Sequence, residues 1–164
     1  MSRVVLAGML WAMAAGSAAA QNVELTGYWR GTYECQQGVT GVNLTIRQGF
    51  GTALDAVLHF YAIPRNPGVP TGCFRMRGRI DPYTRQFSLT SDDNQWIVRP
   101  PTYTVANVSG TLAADGRSMR GRVEAEGCSY FDLQRLDKPP LAPAACADAL
   151  TLSAVAPDGS VATR

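Results

Sequence analysis

Hydrophobic and polar residues alternate along most of this chain. Between positions 53 and 61, Leu54, Ala56, Leu58 and Phe60 share one face, while Asp55, His59 and Tyr61 take the other together with Val57. That two-residue period belongs to a strand with one buried side. Phe74, Met76, Gly78 and Ile80 oppose Arg75, Arg77 and Arg79 in the same way, and Met119, Gly121 and Val123 oppose Arg120, Arg122 and Glu124. Runs rich in Val, Ile, Thr, Tyr and Phe predict strands at 28 to 37, 41 to 48, 53 to 61, 72 to 80, 85 to 91, 103 to 114, 117 to 125 and 128 to 136. Turn signals separate them, among them Gly49-Phe50-Gly51, Asp81-Pro82 and Glu126-Gly127. Asp115-Gly116 predicts a type I′ hairpin, so the strands on either side of it are expected to pair. Consecutive half-buried strands joined by short turns predict an all-β fold, an antiparallel up-and-down barrel of about eight strands, because closure removes unpaired edges. A two-sheet sandwich is the alternative.

The ends of the chain differ from this pattern. Residues 1 to 20 read as a secretory signal: Arg3 supplies the positive start, Val4 to Ala15 the apolar stretch and Ala18-Ala19-Ala20 a small-residue cleavage site. Gly8, Gly16 and Ser17 interrupt the stretch and argue against a membrane anchor, and no Cys near the cleavage site suggests lipidation. The expected organisation is a signal at 1–20, a barrel domain at 21–138 and a C-terminal tail at 139–164 that packs on the barrel. In that tail, Pro143 to Leu152 suits a short helix. A formal charge of +2 offers no field for nucleic acid, and the membrane is expected to matter only during export. All four cysteines lie in the exported part, where thiols oxidise, so two disulfides are expected. With no C-x-x-C and one histidine, no metal or other cofactor is expected.

Gly27-Tyr28-Trp29, at the start of the first strand, resembles the G-x-W signature of the calycins, the barrel group of lipocalins and avidins. In that group an Arg near the end of the last strand covers the Trp at the closed end, and Arg135 stands in the matching place. The resemblance implies an extracellular binding barrel whose other end is open. Residues 29 to 41, W-R-G-T-Y-E-C-Q-Q-G-V-T-G, also resemble modules of uncharacterised proteobacterial envelope proteins, which implies no function.

In a closed eight-stranded barrel the first and last strands are antiparallel neighbours, so paired residue numbers keep a constant total. The totals for Trp29 with Arg135 and for Cys35 with Cys128 differ by one, which asks for a single extra residue at Gly31 or Gly127. Of the three connectivities open to four cysteines, this register favours Cys35–Cys128, with Cys73–Cys146 tying the tail to the outer wall.

No constellation for catalysis emerges. His59 has Asp55 near it on the strand, but no G-x-S-x-G elbow marks a nucleophile, and a solvent-facing strand histidine is expected. Asp92-Asp93-Asn94 lacks the ligand spacing of a calcium loop. Candidate ligand-binding residues are Trp96, Tyr83 and Tyr103, in or near loops and able to stack on rings, and the ladder Arg75, Arg77, Arg79, whose cations repeat at about 6.6 Å and suit an anion. Trp29 and Tyr33 are assigned to packing at the closed end. Together these features predict a periplasmic or secreted, non-enzymatic protein that binds a small molecule, a glycan or an envelope component. The alternatives are an inhibitor of an exported enzyme such as lysozyme, and a hydrolase whose site is not recognisable.

Overall fold

The computed structural model describes residues 23–150; the expected export signal lies outside them. Strands β1 (Gly27–Cys35), β2 (Gly38–Gln48), β3 (Ala53–Tyr61), β4 (Gly72–Ile80), β5 (Gln86–Thr90), β6 (Trp96–Val98), β7 (Asn107–Leu112), β8 (Ser118–Glu124) and β9 (Tyr130–Leu136) are followed by a short helix, α1 (Ala144–Asp148). Each strand pairs antiparallel with its neighbour around the circuit β1-β2-β3-β4-β5-β7-β8-β9, and β9 pairs back onto β1. The result is a closed eight-stranded barrel, not a sandwich.

Strand β6 is the addition that the alternation did not reveal. β5 pairs with β4 only from Arg77 to Ile80, and β6 takes up the same edge farther along, at Cys73 and Phe74. The expected strand from 103 to 114 shortens to β7 because residues 99–106 leave the sheet through Pro100-Pro101, with Thr102 at φ +67°. The hairpin at Asp115-Gly116 pairs β7 with β8 as expected, but it is not type I′. Only Gly116 has positive φ; its N–H bonds the Ala113 carbonyl, and the Asp115 carboxylate accepts the Arg117 amide.

The inward residues of the alternation are buried: Leu54, Ala56, Leu58, Phe60, Phe74, Met76, Met119 and Val123 all join one core. At the closed end Trp29 is fully enclosed, and its Nε1 donates to the Leu25 carbonyl (3.1 Å). The Arg135 guanidinium carbon lies 4.4 Å from the Trp29 ring centre. Its nitrogens donate to the carbonyls of Gly116 (2.9 Å), Thr26 (2.8 Å) and Glu24. Arg135 therefore ties the incoming chain, the β7–β8 turn and the last strand over one indole.

Trp29 pairs with Arg135 in a register that stays constant from Tyr28↔Leu136 to Tyr33↔Phe131. Cys35–Cys128 and Cys73–Cys146 are the disulfides. The one-residue step between them falls elsewhere than expected. Gly31 sits inside the regular ladder, and Gly127 lies in the turn closed by the Cys128 amide on Ala125; the step comes past Tyr33 and Phe131, where the Ser129 amide bonds the Glu34 carbonyl.

A second, smaller cluster lies outside the barrel wall: Val57, Cys73, Cys146 and Leu150, with Ile97, Val98, Ala142 and Ala149 against it. The tail with α1 thus covers part of the outer face of β3, β4 and β6. This explains why Val57 alternates with polar residues yet is apolar. The expectation that His59 faces solvent is also overturned: it is 5% exposed and bonded to Asn43 and Thr71.

Candidate functional site

The barrel ends differ because different connections close them. The N-terminal segment and the β2–β3, β4–β5 and β7–β8 turns gather at the Trp29 end, while residues 62–71 and 99–106 and the β1–β2 and β8–β9 turns surround the other. At this second end a solvent-open cup of about 470 Å³ enters the barrel. Leu58, Phe60, Phe74 and Val123 line its apolar part, and Tyr33 and Tyr103 add phenol rings. Gln36, Gln37, Thr102 and Thr104 supply neutral polar groups, and Glu126 a carboxylate. Below the cup the interior is filled, since Val42, Leu44, Val108, Phe131 and Leu133 leave a void of only about 20 Å³.

Local chemistry holds these walls. The Asn66 amide donates to the carbonyls of Gln37 (2.7 Å) and Val39 (3.1 Å), fastening the 62–71 loop to the β1–β2 turn. Gln37 Nε2 in turn reaches Tyr33 Oη (3.3 Å) and Thr40 Oγ1 (3.4 Å). Burial pushes the Tyr33 phenol above its ordinary range, so it stays neutral. Tyr103 stacks on Phe60 with ring centres 5.3 Å apart and planes 11° from parallel. Trp96 meets Phe60 and Phe74 edge-on, at 6.3 and 5.1 Å, beneath the Arg99 guanidinium at 5.8 Å.

The expected ligand-binding residues are not brought together. Tyr103 lines the cup, and Trp96 buttresses two of its rings from behind. Tyr83 is 94% exposed on the β4–β5 turn, at the opposite end. Arg75, Arg77 and Arg79 run along the outer wall of β4, where Arg77 Nε stands 4.0 Å from Asp55 and Asp55 also receives Arg47 at 3.1 Å. Sequence reasoning placed Tyr33 at the closed end, which the structure corrects: it lines the cup. A signal was present, since Tyr33 follows Trp29 by four strand residues and therefore stands about 13 Å farther along the barrel. Phe60 and Phe74 were expected as core, and their part in the cup depends on which loops stay clear of them.

His59 has the outward form of a catalytic relay and the opposite polarity. Its Nε2 lies 2.9 Å from Thr71 Oγ1, and its Nδ1 3.1 Å from Asn43 Nδ2. Arg30 Nε donates to Asn43 Oδ1 (3.1 Å), which turns the Asn43 amide nitrogen toward His59 and toward the Leu141 carbonyl (3.3 Å). The assigned tautomer then has Nδ1 accepting and Nε2–H donating to Thr71, so Nε2 has no lone pair with which to take the Thr71 proton. Burial, assisted by the Arg30 charge, lowers the His59 pKa to about 4. The network holds the tail to the wall through Leu141.

No family model matches this chain, and no curated protein does. Among solved structures, one described as the de novo design of a fluorescence-activating β-barrel is similar at a TM-score of 0.45 and 15% identity, covering 68% of this chain and 94% of its own.

Proposed function

We propose that this is an exported, non-enzymatic protein of the periplasm or cell exterior that holds a small ligand or envelope component in the cup at the open end of its barrel. The observation that carries this is the cup itself: about 470 Å³ of partly apolar, aromatic-lined concavity above a filled barrel, a size suited to one small molecule. Two disulfides fit an oxidising compartment. The absence of enzymatic activity is part of the proposal, and the donor role of His59 Nε2 supports it.

Native mass spectrometry of the protein purified from its own host tests this reading. A retained small molecule is expected in the wild type and not in Tyr103→Ala, which removes a cup ring outside the barrel ladders. Bare protein from the host, together with no cup-dependent binding in a small-molecule screen, overturns it. One observation favours the inhibitor reading: the lower barrel is packed, and prolines at 64, 67, 70, 100 and 101 restrict the two loops, 62–71 and 99–106, that surround the open end. A co-purifying enzyme in the same spectrum, in place of a small molecule, would select that reading.

A further inference from the structure

Resting on the proposed cup, we infer that its ligand is a flat, ring-bearing molecule without negative charge. Phe60, Phe74, Tyr33 and Tyr103 present rings to the cavity, and the Phe60–Tyr103 pair already shows the near-parallel stacking that a planar guest would extend. The charge argument is independent of the rings. Among the described residues lining the cup there is no Lys, Arg or His, and Glu126 is the only carboxylate. The Tyr33 phenol stays protonated. A carboxylate, sulfonate or phosphate entering here would shed water with only neutral Gln, Thr and Tyr groups and no cation to receive it, and would approach Glu126 at the rim. A neutral ring with a hydroxyl or amine meets no such cost, and a cation gains from Glu126. The ladder Arg75, Arg77, Arg79, whose spacing suits an anion, stands on the outer wall of β4 instead.

Two dyes with one ring skeleton test this: neutral N-phenyl-1-naphthylamine and its sulfonated counterpart 1-anilinonaphthalene-8-sulfonate, titrated by fluorescence into the full mature protein. The neutral dye is expected to bind at least about tenfold more tightly, and Tyr103→Ala to weaken it severalfold. Glu126→Gln is expected to narrow the gap about threefold by improving the sulfonate alone. Equal or tighter binding of the sulfonate, lost in Tyr103→Ala, would overturn the inference while leaving the cup reading in place. If neither dye binds, or binding ignores Tyr103, the cup reading falls as well.

Discussion

Two polar residues show opposite uses of burial. Arg135 keeps its charge because an indole face and three carbonyls replace its water. His59 gives up its charge because burial strips its water, the Arg30 charge repels a second cation, and its neutral ring already satisfies Asn43 and Thr71. Replacing Arg135 with Ala should cost about 2–4 kcal/mol in chemical denaturation, from the lost cation–π contact and the carbonyls left without a donor. Lys should restore only part, because an ammonium cannot span three carbonyls as a planar fork does. For His59 the sign follows from its pKa of about 4 in the fold against the ordinary 6.5. Between those values the unfolded chain takes a proton that the folded one refuses. Its contribution is therefore intact above pH 6.5 and declines as pH falls toward 4, by at most about 1.4 kcal/mol per unit. Denaturation of wild type and His59→Gln at pH 7.5 and 4.5 checks this: the wild type should lose more on acidification. The candidate residues were visible as residue types, yet the polarity of His59 was not, because Asn43 and Thr71 reach it from separate segments and the Asn43 amide is itself set by Arg30 and Leu141.

Elements here are set by pairing as much as by pattern. Gly31 sits where a Cβ would come 1.8 Å from the Asp132 carbonyl oxygen, so β1 and β9 approach more closely than any side chain there allows. Gly31→Ala should force the closing strands apart and lose several kcal/mol, read as a drop in denaturation midpoint. The tail makes a different case. Among the described residues it meets the wall through the Cys73–Cys146 bond, a small apolar cluster and the Asn43–Leu141 hydrogen bond. Cys146→Ser should release α1 while the barrel keeps its strand circular dichroism, and the His59 pKa, followed by NMR, should rise from about 4 toward its ordinary value. A pKa that stays low after release would show that Arg30 and the wall, not the tail, keep the ring neutral. The strands were legible because their period is local; β6 was not, since three residues leave no period and form a strand only where β5 stops short.

For the whole molecule, closure is the decisive event. The ladder between β1 and β9 joins residues about a hundred positions apart, and Cys35–Cys128 locks it at the open end while Arg135 locks it at the closed end. Removing the bond in a Cys35→Ser/Cys128→Ser double variant should cost about 2–4 kcal/mol by the loop-entropy argument, measured as a lower denaturant midpoint with the barrel still formed. Collapse to a non-β spectrum would show that the ladder cannot close without its staple. The same closure defines the cup, whose wall draws on β1, β3, β4, β8 and the segment before β7 at once.

The sequence by itself marked the eight barrel strands and the pairing across Asp115-Gly116; the Trp29–Arg135 match came from the calycin resemblance, and the register it anchored favoured the two disulfides among three connectivities. The strands and their pairing depend on a two-residue period, a turn-forming glycine and a constant antiparallel register, and all three are readable along a line. The tertiary structure decided what those quantities leave open. It filled the lower barrel, left a cup beside Tyr33 and Tyr103, and sent Tyr83 and the arginine ladder elsewhere. It also packed the tail on Val57 and Cys73 and tied it to Asn43, the partner of His59. Alternation says which side of a strand faces inward but not how completely the interior is filled or what covers the outside, because both depend on the volumes and paths of segments far apart in the chain.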